Sequence, residues 1–152
     1  MVLSKACTYG ILASLYVARE TTRTTGFVSI GKMSKELHIS FHFLTKILQE
    51  LTSAGLLVSM KGPKGGVSFK RDAGDITILD VVLAIDGIKV FRECLLGLPG
   101  CGDEEPCPVH EEWAEIRENL YHTFHSKTLA DTARRIDELN LRFALPELYD
   151  QK

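Results

Sequence analysis

Residues 40–71 constrain the fold of this 152-residue chain more than any other stretch. Ser40 is a helix-capping residue type, because its hydroxyl oxygen can accept an otherwise orphaned backbone N–H. Beyond it Leu44, Ile47, Leu48 and Leu51 recur at three- and four-residue spacing, which predicts one buried face on a helix over 41–53. Gly55 suits the left-handed position just past such a helix. "LLVSM" (56–60) and "VSFKR" (67–71) then flank Lys-Gly-Pro-Lys-Gly-Gly, whose glycines and proline favour a turn between two short strands. A lone two-stranded hairpin is marginal in water. It must therefore lean on the helices that precede it.

Those helices are legible. Ser4 caps a first helix with Tyr9, Leu12, Ala13, Tyr16 and Val17 on its apolar face, ending near Glu20. "TTRTTG" reads as a loop closed by Gly26. Ser29 caps a short second helix carrying Ile30, Met33 and Leu37, and "HIS" makes the turn into the third. Helix, helix, turn, helix and hairpin is the order of a winged helix-turn-helix, in which the second helix of the helix-turn-helix pair lies in the major groove of DNA. The expected fold class is mainly α with a small β-hairpin wing, followed by a long dimerisation helix.

After the hairpin, Thr77 and Asp80 form a capping-box pattern ahead of "ILDVVLAI", and Gly87 closes that helix. Pro108 suits the first turn of a long helix. Val109, Trp113, Ile116, Leu120 and Phe124 form an apolar stripe along it, and an unpartnered stripe calls for the same helix of a second subunit. Thr128 caps a last helix running to about Asn140. The implied division is a DNA-binding domain over 1–88, a cysteine-rich loop over 89–107, and dimerisation and C-terminal helices over 108–152.

Charge divides the chain in the same sense. Residues 1–72 hold 10 Lys+Arg against 4 Asp+Glu, and residues 73–152 hold 8 against 16. A basic front half is the electrostatic footprint of a nucleic-acid-binding module. The longest apolar run, "ILASLYVA", is far shorter than the ~20 residues that span a bilayer. No membrane partner and a cytoplasmic location are expected.

With Leu44, Ile47, Leu48 and Leu51 facing inward, His42, Thr45, Lys46 and Gln49 project outward, where base edges and phosphates would lie. Ser40 can reach a phosphate. Lys61 and Lys64 sit at the wing tip, where a narrow minor groove attracts cations, and Gly62, Gly65 and Gly66 let the turn backbone approach closely. His38, in the turn, reads as a surface residue.

"ECLLGLPGCGDEEPCPVHEEW" carries three of the four cysteines, spaced Cys94-x6-Cys101-x5-Cys107, with His110 close behind. In a reducing compartment such a cluster points to metal or redox chemistry rather than disulfides. Thiolates favour iron–sulphur clusters, zinc or copper(I), and an imidazole can complete the set. Spacing alone leaves iron and zinc open. A position beside the long helix's N-terminus would favour the Cys107 thiolate. Cys7, on the first helix, reads as a small buried apolar residue, with a ligand role toward a partner's loop as the alternative. His122 and His125 read as interface or surface residues.

Together "LSKACTYG", "KGPKGG" and the cysteine loop resemble the Rrf family of bacterial winged-helix regulators, over nearly the whole chain to about residue 140. The resemblance implies a homodimer with a domain-crossing long helix, binding double-stranded DNA near promoters and responding to a cluster. In the IscR branch three cysteines and a histidine hold a two-iron, two-sulphur cluster. By that match Cys94, Cys101, Cys107 and His110 would be the ligands, with one extra residue between the first two cysteines. In the NsrR branch an aspartate from the other subunit completes a four-iron cluster; the matching position here is Thr8, beside Cys7. The position of the IscR branch's discriminating glutamate is Thr45.

The sequence-based expectation is therefore a homodimeric DNA-binding transcription regulator controlled by an iron–sulphur cluster that senses redox state, iron or nitric oxide. The 2Fe-2S form is favoured over 4Fe-4S, and zinc is the alternative cofactor. The alternative functions are a zinc-stabilised winged-helix regulator and a small iron–sulphur carrier. No nucleophile elbow, P-loop or dinucleotide fingerprint points to an enzyme.

Overall fold

The computed structural model describes residues 2–23 and 26–143. Six α-helices and one two-stranded antiparallel hairpin follow in order among the described residues: α1 (Lys5–Arg23), α2 (Ile30–Leu37), α3 (Phe41–Ser53), β1 (Leu57–Met60), β2 (Gly66–Phe69), α4 (Ile78–Ile85), α5 (His110–Ser126) and α6 (Leu129–Glu138). The protein is a winged helix-turn-helix followed by three further helices, α4 to α6. No helix among the described residues is long and apolar enough to cross a membrane.

α1 is the central helix. It packs against α3, α4 and α6 at once, so six consecutive residues, 13 to 18, are buried. One apolar stripe would predict fewer. The helix also runs past its expected end at Glu20. That carboxylate is buried and held by Arg19 at 3.4 Å and Lys32 at 3.3 Å, while the Thr21 and Thr22 hydroxyls donate back to the carbonyls of Ala18 and Arg19. Those bonds let two β-branched residues continue the helix in place of a loop.

The caps are where the sequence places them. The oxygens of Ser29 and Ser40 accept the N–H groups of Lys32 and Phe43, and Thr77 and Asp80 form a full capping box. Gly55 follows α3 with φ +79°. The inward face of α3 (Leu44, Ile47, Leu48, Leu51) meets Tyr16, Met33 and Leu37 in one core.

The wing pairs Leu57 with Phe69 and Met60 with Gly66 at its two ends. Val28, ahead of α2, exchanges both backbone hydrogen bonds with Val67, which ties the wing's base to the helix-turn-helix. This contact fixes Gly66: its φ is +147°, and a Cβ there would collide with the Val28 carbonyl.

α6 does not extend away with α5. It returns to α1, burying Leu129 and Ala133, while Leu129 N–H bonds the carbonyl of Ile76. The wing-bearing body is thus closed by both ends of the described chain. Residues beyond 143 lie outside the described set. α5, by contrast, has no buried residue along its 17 positions. It touches the body through α4 and through Phe91, whose ring meets Tyr121 and Phe124 edge-on at 5.4 and 6.1 Å.

Candidate nucleic-acid interface and metal centre

α3 and the wing enclose an open groove of about 710 Å³, whose lining includes Thr45, Gln49, Lys61 and Gly62. Of the residues expected to face DNA, these four share one surface. Lys46 faces a neighbouring hollow with Gln49 and Glu50. His42, Lys64 and Ser40 are exposed, and the oxygen of Ser40 is engaged by the Phe43 N–H at 3.2 Å. The Thr45 hydroxyl donates to the Phe41 carbonyl at 2.7 Å, so it is committed to its own helix. Phe41 and Met60 also line the groove, 56% and 45% exposed. Sequence reasoning omitted both, because a helix-starting Phe and a strand-ending Met look like core residues.

The cysteines converge. The sulphurs of Cys94, Cys101 and Cys107 all lie within 4.8 Å of one another, and Cys94 and Cys107 are 3.6 Å apart. Three residues with left-handed φ shape the region: Gly97 and Gly100 turn the loop (φ +65° and +77°), and Gly87 (φ +72°) ends α4 before it. His110, the first residue of α5, points Nδ1 at Cys101 Sγ across 3.4 Å. Its other nitrogen meets Asp103 Oδ1 at 3.3 Å. A carboxylate on the far ring nitrogen is the usual way a ligating imidazole is oriented. Asp103 was not singled out in the sequence because nothing in the spacing marks it among Asp103, Glu104 and Glu105.

α5 also holds the loop's leading end. Trp113 Nε1 and Arg117 Nη1 donate to the carbonyl of Glu93, at 2.9 and 3.1 Å. Trp113, expected on the dimer stripe, thus also anchors the residue before Cys94.

Two expectations about the helix start change. α5 begins at His110 with Val109 at its cap, so Pro108 lies ahead of the helix, and a turn closed by His110 N–H on the Cys107 carbonyl intervenes. Cys107 accordingly stands off the helix end. A backbone hydrogen bond from Val109 favours its thiolate, but desolvation and the adjacent Cys101 and Cys94 thiols outweigh it, and its pKa is raised. The acidified thiol is instead Cys94, lowered to about 7, chiefly by the backbone N–H of Leu98 and further by Leu96, Cys107 and Cys101.

Cys7 is fully buried, and its thiol is pushed up to about 12 by that burial and then by Asp86. Within this chain it behaves as the small buried residue the sequence suggested. His122 sits 3.6 Å from Glu118 and His125 stacks on Tyr121, both on the exposed surface of α5.

The donor set suits a soft metal group. Three thiols and an imidazole are sufficient for a four-ligand site, and the imidazole already has its orienting carboxylate.

The family profile described as Rrf2, iron-dependent transcriptional regulator, matches residues 3–135. A protein of Aquifex aeolicus named as an HTH-type transcriptional regulator is 31% identical over 133 residues, covering 86% of this chain and 90% of that protein. The HTH-type transcriptional regulator IscR of Klebsiella pneumoniae is 29% identical over 141 residues, covering 93% of this chain and 85% of the relative. Among solved structures, CymR of B. subtilis, titled the global cysteine regulator, superposes with a TM-score of 0.71 at 26% identity, covering 88% of this chain and 96% of that one. IscR of T. potens superposes with a TM-score of 0.72 at 22% identity, covering 97% and 95%, and so speaks for the fold alone.

Proposed function

From the premise that the chain belongs to the Rrf2 family of transcriptional regulators, a class that is not enzymatic, we propose that it is a homodimeric DNA-binding regulator whose affinity for promoter DNA depends on an iron–sulphur cluster. Cys94, Cys101, Cys107 and His110 would hold the cluster. The observation that carries this reading is the pairing of the donors: Cys94 with Cys107 at 3.6 Å, and Cys101 with His110 at 3.4 Å. Four converging donors would suit a 2Fe-2S group, which takes four protein ligands. The fourth ligand is His110 rather than a partner's Cys7, since Cys7 is fully buried. When bound, the cluster supplies a reversible response to iron, oxidants or nitric oxide.

The chain's own residues connect that site to DNA. Trp113 and Arg117 fasten the loop to α5. α5 leaves its stripe uncovered within the chain, with Ile116 49% exposed, and a second copy of the helix is the partner that covers it. A change at the loop shifts α5, and with it the spacing of two α3 helices in successive major grooves. Ligand state and DNA affinity are then linked. Lys46, Gln49 and the wing lysines Lys61 and Lys64 carry the contacts to the duplex.

A zinc-stabilised regulator is the second reading. It is favoured by the three sulphurs lying within 4.8 Å of one another, since tetrahedral zinc with Zn–S near ~2.3 Å sets thiolates ~3.8 Å apart. The deciding experiment is the visible spectrum of anaerobically purified protein, with iron, acid-labile sulphide and zinc assayed on the same sample. Thiolate-to-iron charge-transfer bands with equal iron and sulphide support the cluster. A colourless protein with stoichiometric zinc overturns it.

A further inference from the structure

We propose that Phe41 reads a thymine in the bound duplex through the base's 5-methyl group. The inference rests on the DNA-binding reading above and goes beyond it by assigning a specificity-determining residue and the base feature it recognises.

Phe41 is the first residue of α3, and recognition helices reach base edges with their N-terminal residues. Its ring is not needed by the core. The aromatic packing at this end of α3 belongs to Phe43, edge-on to Tyr9 at 5.6 Å. Phe41 instead lines the groove, 56% exposed, on the same helix face as Thr45 and Gln49. An apolar ring of that exposure gains little from facing water, and it gains from covering an apolar atom group on a base.

Thr45, one turn further on, reinforces the same chemistry. Its hydroxyl is bonded to the Phe41 carbonyl, so its methyl is what remains for the groove. Along the line of residues 41, 45 and 49 the first two positions thus offer apolar groups to the groove. Gln49 is the polar group on that line, and the exposed His42, Lys46 and Lys61 flank it. In the major groove only thymine presents a methyl, and Phe and Thr methyl groups are natural partners for it.

Thymine and uracil differ by that methyl alone, which permits a direct test. The full chain, as purified anaerobically, selects duplexes from a random-sequence pool. The best duplex is then titrated by fluorescence anisotropy with each thymine replaced in turn by uracil, using the wild type and Phe41→Ala. In the wild type, uracil at one thymine of each half-site should weaken binding about fourfold, the worth of one buried methyl. Phe41→Ala should bind the thymine duplex more weakly and show no loss on replacement by uracil.

Wild-type binding that is indifferent to uracil at every position overturns the proposal without needing a variant. A uracil effect that persists undiminished in Phe41→Ala also overturns it, because another side chain then reads the methyl. Weaker binding of Phe41→Ala with no uracil effect in the wild type places the ring on the sugar–phosphate backbone, a third contradiction. Failure to enrich any duplex would overturn the DNA-binding reading itself, and this inference with it.

Discussion

The carboxylate of Asp86 holds Ser4 twice, accepting its backbone N–H at 2.8 Å and, through the other oxygen, its hydroxyl. The same hydroxyl oxygen accepts the Cys7 N–H at 3.0 Å, which makes Ser4 the N-cap of α1. Asp86 caps the C-terminus of α4, just ahead of the cysteine loop. The start of the central helix and the run into the candidate metal centre are therefore fastened at one point.

Replacing Ser4 by Ala removes the cap and one of the two bonds to Asp86. A lost serine N-cap costs about 1 kcal/mol, which in a chain of this size lowers the melting temperature by about 2–4 °C. Thermal denaturation followed by circular dichroism measures this. Metal content should be unchanged, because none of the four proposed ligands hydrogen-bonds Ser4.

The Asp103 carboxylate lies 3.3 Å from His110 Nε2, placed to orient the ring as a proposed ligand. Asp103→Asn should weaken metal retention about tenfold, the low end for an orienting partner because this carboxylate is fully exposed. Competition with a chromogenic chelator reads the affinity, and an unchanged melting temperature of the metal-free protein separates it from misfolding.

The thiols should differ in reactivity once metal is removed. A pKa of about 7 at Cys94 means that its thiolate predominates above neutral pH and falls away below it. Cys107, raised, needs more alkaline solution, and Cys7, at about 12 and buried, stays protected. Iodoacetamide labelling of the folded metal-free chain across pH 5.5–9.5, mapped by mass spectrometry, should give half-maximal labelling of Cys94 near pH 7.

Lys46→Ala should weaken binding to all duplex sequences alike and, as the loss of one phosphate contact does, reduce the slope of log affinity against log salt by about 0.9. Anisotropy titrations at several salt concentrations give the slope. Lys46 is exposed, so metal content and folding should match the wild type.

Much of this organisation is legible in local chemistry. α3 occupies the predicted residues because Ser40 and Gly55 mark both ends, and the capping box at Thr77 and Asp80 is present in full. Three cysteines meet because the loop is short and rich in glycine. What escapes the sequence is tertiary. The extension of α1 past Glu20 depends on Lys32 from another helix, and the docking of α6 depends on α1 offering it a face. The later start of α5 follows from a turn at Cys107, which the proline alone does not specify. Asp103 is distinguishable from its acidic neighbours only after His110 is placed, and Phe41 looks like a core residue until the core is seen to be complete without it.

On the proposed reading, the state of the cysteine site sets affinity for DNA. That reading is tested most directly by titrating one selected duplex with metal-loaded and metal-stripped protein under anaerobic conditions, at fixed salt. The dissociation constants should lie at least about tenfold apart, a coupling of about 1.4 kcal/mol between the two sites. Equal dissociation constants from two equally folded, equally dimeric preparations would contradict it.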